Sequence, residues 1–287
     1  MIADVKEPRL ILAPNPSPLT GSGTNTFLIG EDQVAVIDPG PDDPGHLMAI
    51  EEAAKGRISH ILITHAHRDH SAGAATLARM TGAPILAFGD ALSGRSPSMQ
   101  RLAQSGEVGG GEGLDLTFTP DRLLRDGEVV STEEWQLRAL HTPGHSGGHL
   151  CFQWNDAVFC GDIVMGWSST IISPPDGDLA DYLRSLERLD QLGANRFYPA
   201  HGDAIDTPAV RIAELAAHRR QRTAQILAAL RDRPATASDL AQRIYEVPPP
   251  MMPAATRNVL AHLIALTDIG ALSHEGDLTA GTKFTFL

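Results

Sequence analysis

An α/β fold of the mixed (α+β) kind is predicted, with sheets covered by helices, followed by a small helical module that ends in a β-ribbon. Three observations predict it. Across residues 1–207, short apolar runs alternate with helically spaced segments. Hairpin signals are mixed among them, so the sheets are not purely parallel. Beyond Pro208 the composition changes and three helical patterns precede a final pair of short strands.

In chain order, "APNPSPLTGSGTNTFLIG" is rich in proline and glycine and leads into apolar runs at Thr26–Ile29 and Val34–Ile37. Gly30-Glu31-Asp32 between them reads as a hairpin turn. "VIDPG" ends a strand at a Pro-Gly break. Residues 45–55 have helical spacing, "HILIT" at 60–64 reads as a short buried strand, and a helix is expected from Ser71 to Met80 with Gly82 as its stop. Residues 93–113 hold few large apolar side chains and the run Gly109-Gly110-Gly111, which predicts a mobile loop of the kind that covers a site. Strands follow at Trp135–Leu140, Leu150–Trp154 and Ala157–Cys160, the last two joined across Asn155-Asp156. A helix over 179–192 and the strand "RFYPA" at 196–200 complete this part. Then come a long helix over 209–231, a short one over 236–244 capped by Thr236 or Ser238, and a third over 253–270 ending at Gly270. With the terminal ribbon, that order describes a winged helix. The division falls near residue 207, giving units of 1–207 and 208–287.

The bulk properties narrow the function. No stretch approaches the ~20 apolar residues that span a bilayer, and the first residues lack the pattern of a secretory signal. Two cysteines, Cys151 and Cys160, make no disulfide framework and suit a reducing cytoplasm. Net charge is −12: residues 1–207 carry 14 basic and 28 acidic side chains, residues 208–287 carry 9 and 7. The acidic part argues against bulk attraction to a polyanion, although bound dications would reverse its local field.

The chemistry is concentrated at strand ends. "THAHRDH" at 64–70 places His65, His67, Asp69 and His70 just after an apolar run, where a strand end and a turn aim several side chains at one cavity. His145 in "HTPGHSGGH", Asp162 in "FCGD" and His201 in "YPAHG" occupy matching positions after later strands. Neutral imidazole and carboxylate are zinc ligands, and catalytic sites leave a position for water. A closed structural zinc site is usually cysteine-rich, so five histidines and two aspartates without cysteine fit it poorly. His60, His141 and His149 are expected to be structural or pocket-lining, Cys160 to be a buried thiol facing away from Asp162, and the run His218–Arg222 to be a solvated helix face.

"VIDPG", "THAHRDH", "HTPGHSGGH", "FCGD" and "PAHG", in this order, resemble the five motifs of the metallo-β-lactamase superfamily over essentially all of residues 1–207. The resemblance implies an αββα sandwich with a dinuclear metal site along one edge. It implies that His65, His67 and His145 bind one metal, that Asp69, His70 and His201 bind the other, that Asp162 bridges both, and that Asp38 supports the site. Aspartate at 162 is similar to the glyoxalase-II-like branch. The proline-rich entrance and the winged helix resemble a narrower group of lactamase-like hydrolases, some of which cut single-stranded RNA.

The expected activity is therefore hydrolysis by a hydroxide shared between two divalent ions, most simply Zn2+, with Asp69 both ligating and orienting it. The expected substrate is a single-stranded RNA phosphodiester or a small ester, with a thioester as the alternative; no membrane partner is expected, and a homodimer is possible. A different class, a DNA-binding regulator with a lactamase-like sensor, finds poor support: its recognition helix would offer only Arg257 and His262 as cationic contacts, which makes duplex DNA a weak candidate partner.

Overall fold

The computed structural model describes residues 7–287. Strands β1 (Arg9–Leu12), β2 (Asn25–Ile29) and β3 (Val34–Ile37) form an antiparallel meander. Helix α1 (Pro44–Ala54) starts on the side chain of Asp43, which accepts from the His46 amide, and leads to β4 (Ile58–Leu62), parallel to β3. The short α2 (Arg68–Ser71) and α3 (Ala74–Thr81) follow, then β5 (Ile85–Ala87), α4 (Pro97–Ser105) and β6 (Arg122–Leu123). β5 and β6 extend the first sheet in parallel, in the order β1-β2-β3-β4-β5-β6. The second sheet is built from β7 (Val129–Ser131), β8 (Gln136–His141), β9 (Leu150–Trp154) and β10 (Ala157–Gly161), then α5 (Leu179–Gln191) and β11 (Arg196–Pro199), in the order β11-β10-β9-β8-β7. The long α6 (Pro208–Asp232), α7 (Ala237–Ile244), α8 (Met252–Asp268), β12 (Leu272–His274) and β13 (Phe284–Phe286) complete the chain.

Alternation along the strands explains the layering. Phe27 and Ile29 of β2 and Ala35 and Ile37 of β3 pack between the sheets against Leu137, Phe152 and Phe159. Their neighbours Leu28, Val34 and Val36 point the other way and pack under α1 and α3 with Leu47, Ile50 and Leu77. Every second residue of a strand faces the same side, so a sheet covered on both faces reads as continuously apolar. The second sheet is covered by α5 and the start of α6, where Val158, Tyr182, Leu186, Phe197, Ile212 and Leu215 share a core. The result is the expected αββα sandwich, and the winged helix follows with Ile226, Leu240, Val259, Leu263 and Phe284 in a further core that also takes in Met99, Leu102 and Val108. Helix α6 serves both cores, its first half in one and its second half in the other. Among the described residues no helix is long and apolar enough to cross a membrane.

Several expectations need correction. Residues 93–113 are not a loop throughout, because α4 occupies 97–105. Ser96 caps it by accepting from the Met99 amide, and Met99 and Leu102 bury themselves in the winged-helix core, a tertiary partner that local composition does not reveal. The helix expected from Ser71 to Met80 is two pieces, because the tight turn of α2 is needed to present Asp69 and His70. Arg219 is not on a solvated face: it is 1% exposed. Of the two cations expected on the recognition helix, His262 is fully buried and Arg257 turns inward to the carbonyls of Val108 and Pro174, so neither faces a duplex.

His262 yields a prediction on stability. Its Nδ1 lies 2.9 Å from the Thr223 hydroxyl, and burial, with Arg219 and Arg222 nearby, pushes its pKa down to about 3. The unfolded chain binds that proton near pH 6.5, so between these values the unfolded state holds more protons and stability falls as pH falls. Relative to His262→Gln, wild-type protein is expected to lose roughly 3 kcal/mol on going from pH 7 to pH 4. Denaturant midpoints of the two proteins across that range measure it, and parallel curves would refute it.

Candidate metal centre

All seven candidate ligands follow the carboxyl ends of strands. His65 and His67 leave β4, and Asp69 and His70 sit in the first turn of α2; His145 follows β8, Asp162 follows β10, and His201 follows β11. Backbone bonds tie these ends across the two sheets: Leu150 N donates to Thr64 O at 2.8 Å, and Asn25 N donates to Ala200 O at 2.7 Å.

Two groups of ligand atoms result. In the first, His65 Nε2 and His145 Nε2 lie 2.9 and 3.0 Å from His67 Nδ1. In the second, His70 Nε2 and His201 Nε2 lie 3.5 and 3.3 Å from Asp69 Oδ2. Asp162 stands between them, with Oδ2 at 3.6 Å from both His145 Nε2 and His70 Nε2 and Oδ1 at 3.4 Å from His201 Nε2. Each group could hold a metal ion.

The donor set fits dications on an observation independent of those distances. His70 Nε2 and Asp162 Oδ1 are buried without a hydrogen-bond partner. With only ion-pair contacts of 3.4–3.6 Å these buried atoms are poorly compensated, and a cation at that point would complete them. In three of these histidines the other ring nitrogen is engaged outward, which aims the free one at the centre. His70 Nδ1 meets Asp38 Oδ2 at 3.0 Å, His145 Nδ1 meets Ile171 O at 2.7 Å, and His201 Nδ1 meets Gly23 O at 3.1 Å.

Electrostatics divides the site in two. Burial, reinforced by neighbouring imidazoles, lowers His65 well below the usual range and His67 to about 3, so both are neutral and offer lone pairs. Burial alone would also lower His70 and His201, but the carboxylates beside them win. Asp69 and Asp162 raise His70 well above its usual value, and Asp162 raises His201 to about 10. Conversely, burial would raise both acids, yet the imidazoles of His70 and His201 hold Asp69 and Asp162 well below the carboxylate range. With both acids ionised, this half of the site is built around negative charge that a cation can replace the imidazolium protons in balancing.

Supporting residues also find their places. Asp38, with left-handed φ of 51°, accepts from the Thr64 amide and hydroxyl, each at 2.7 Å, in addition to His70. His149 does not ligate: its Nδ1 meets Thr142 Oγ1 at 2.9 Å, and its Nε2 accepts from the Asp162 amide. Only glycine fits at 161, where φ is +49° and any Cβ would strike His149 Nε2. His141 stacks on Phe88 and meets Gly147 O, and His60 packs edge-on against Trp135. Cys160 points into the core with its Sγ toward Val164 O, and burial holds its thiol well above the usual range. Two site contributors carried no signal in the sequence, the carbonyls of Gly23 and Ile171, since a backbone acceptor has no residue signature. Over the site, Gly113 O accepts from Arg68 N at 2.9 Å, and the loop beyond α4 is anchored where Asp176 accepts from Gly111 N and pairs with Arg95.

Comparison with known proteins agrees with this geometry. The profile of the metallo-beta-lactamase superfamily matches residues 19–201, and that of the beta-lactamase associated winged helix domain matches residues 236–281. The chain is similar to a beta-lactamase-like protein 2 homolog of Drosophila melanogaster, with 31% identity over 91% of this chain and 88% of the relative. It is 32% identical to an atrochrysone carboxyl ACP thioesterase of Aspergillus fumigatus, over 80% of this chain and 67% of that one. Among solved structures, a metallo-beta-lactamase family protein from Thermus thermophilus superposes with a TM-score of 0.78 at 27% identity, covering 98% of both chains.

Proposed function

Because the chain belongs to the metallo-beta-lactamase superfamily, a family of hydrolases, we propose that it is a two-metal hydrolase acting on a small acyl ester or thioester. The observation that carries this reading is the position of Asp162 between the two ligand groups, one oxygen toward His201 and the other toward His145 and His70. In it, His65, His67 and His145 would hold one divalent ion, Asp69, His70 and His201 the other, and Asp162 would serve both. Zn2+ suits this nitrogen and oxygen set, as do iron and manganese. Bound there, such ions supply an acidified water and polarise the substrate oxygen.

The chain's own groups do the rest. Asp69 has 30% of its side chain exposed against 11% for Asp162, so Asp69 is the acid that water and substrate reach. As an ionised ligand of the second ion, it would accept a hydrogen bond and orient the attacking water rather than donate a proton. Residues 1–207 carry this chemistry, and the two reduced, buried cysteines suit a cytoplasmic setting.

An acyl centre is favoured over an RNA phosphodiester. Two arginines beside the loop over the site are already engaged, Arg95 with Asp176 and Arg257 with Ser173, Pro174 and Val108, and the chain is net acidic. The Aspergillus fumigatus relative is named a thioesterase, which agrees with a carbonyl substrate. Inward-facing Arg257 and buried His262 likewise weigh against the DNA-binding regulator. The test is a metal-replete screen of acyl thioesters, small esters, single-stranded RNA and lactams with His67→Ala as blank. Thioester or ester turnover that vanishes on chelation and returns with added divalent ion is expected. Turnover of RNA alone, or activity indifferent to chelator, would overturn the reading.

A further inference from the structure

The segment that follows Asp162 is held from outside the sandwich. Thr170 Oγ1 donates to the Asp162 carbonyl at 2.7 Å, and Ile171 O accepts from His145 Nδ1. Three side chains of α6 and α8 grip the backbone on either side of that carbonyl. Arg219 donates to Thr170 O and, at 3.1 Å, to Asn258 Oδ1, while its guanidinium lies 5.3 Å from the Tyr182 ring centre. The same Asn258 Oδ1 accepts from the Ile172 amide at 3.1 Å. Arg257 donates from Nε to Ser173 Oγ at 2.9 Å and from Nη2 to Pro174 O. Residues 170, 172, 173 and 174 are thus each fixed by the C-terminal helices, and Ile171 between them is left to face His145.

We propose that Arg219, Arg257 and Asn258 are positioning residues, through which the C-terminal helices set the metal centre by fixing the Ile171 carbonyl against His145. The inference rests on the two-metal reading of the same site. A buried arginine is a poor choice for stability alone, since apolar side chains of similar volume pack as well without desolvating a charge. Arg219 and Asn258 each hold a backbone group of the segment, Thr170 O and the Ile172 amide, so what these side chains specify is its path. The bond from His145 Nδ1 at 2.7 Å settles which ring nitrogen keeps its proton, and hence leaves Nε2 free as a ligand. A displacement of the carbonyl by about 1 Å would lose that bond.

The test loads wild type, Asn258→Leu, Asn258→Asp and Arg257→Lys with cobalt(II). It measures ions bound per chain, their release rates to a chelator and the visible spectrum. Asp at 258 keeps an acceptor for both Arg219 and Ile172, whereas Leu removes it. Asn258→Leu is expected to release one of its two ions at least 10-fold faster, in line with losses on removing a ligand's partner, with the spectrum of that ion altered and the other unchanged. Asn258→Asp is expected to stay close to wild type, and Arg257→Lys, which keeps the charge but cannot reach Ser173, Pro174 and Val108 together, to move in the same direction as Asn258→Leu by less. If Asn258→Leu does not fold, Arg257→Lys alone decides. Wild-type rates and spectra in every folded variant overturn this inference and leave the two-metal reading standing. Wild type that binds no cobalt overturns both.

Discussion

Asp162→Ala is expected to lower turnover by at least about 10^3-fold and to strip metal at the same time. The side chain is buried and ionised, because His201 and His70 outweigh the burial that would otherwise raise it. Its two oxygens face different imidazoles, so one substitution removes a donor from each ligand group. In a site where both ions supply transition-state stabilisation, loss of the shared donor corresponds to roughly 4 kcal/mol or more of barrier. Elemental analysis of purified protein beside a thioester assay checks both halves. Two equivalents of metal with near wild-type turnover in Asp162→Ala would refute the assignment.

The candidate site was legible in the sequence because the side chains that form it have few other uses together. His65, His67, Asp69 and His70 lie within six residues, and each of His145, Asp162 and His201 follows an apolar strand and sits beside a glycine or within two residues of one. β8, β10 and β11 run in one direction within the second sheet, so positions just after their carboxyl ends become neighbours along one edge. The continuous burial of β2, β3 and β10 likewise follows from residues that are apolar on both faces. Elements stabilised from a distance were less legible. Helix α4 is held by Met99 and Leu102 docking into a core assembled some 160 residues later, around Val259 and Leu263. β6 is two residues long and exposed, a strand only because β5 pairs with it.

The C-terminal helices carry the same lesson in charge. Arg219 lies in the run His218-Arg219-Arg220-Gln221-Arg222, which reads as a solvated helix face. Arg219 is buried all the same, because Tyr182, Thr170 and Asn258 provide a ring face and two oxygens in a place water does not reach. Arg222 covers the ring of Tyr245 at 3.9 Å. None of these four partners lies within a helical turn, so local pattern could not distinguish these arginines from exposed ones. A winged helix read from element order alone suggests DNA. What its third helix presents instead is a set of contacts to the segment beside Asp162.

Asp38 separates two effects that a single substitution usually mixes. Its carboxylate is buried and accepts three hydrogen bonds, from Thr64 N, Thr64 Oγ1 and His70 Nδ1. Asp38→Ala leaves those donors unpaired in the core and is expected to cost about 2–5 kcal/mol of stability. Asp38→Asn keeps the shape and can still accept from the Thr64 amide, but its amide nitrogen then faces the Thr64 hydroxyl and His70 Nδ1. Facing a donor, His70 Nδ1 must give up its proton, which moves to Nε2, the atom that points at Asp69 and Asp162. A protonated Nε2 has no lone pair for a metal. Asp38→Asn is therefore expected to fold with a melting temperature near wild type, yet to bind the second ion 10–100-fold more weakly, the usual consequence of losing a ligand's hydrogen-bond partner. Metal titration followed by calorimetry, with thermal unfolding of the metal-free proteins as reference, distinguishes the two variants. Equal metal affinity in Asp38→Asn and wild type would mean that the carboxylate serves the turn alone, and that His70 is oriented by the packing of α2.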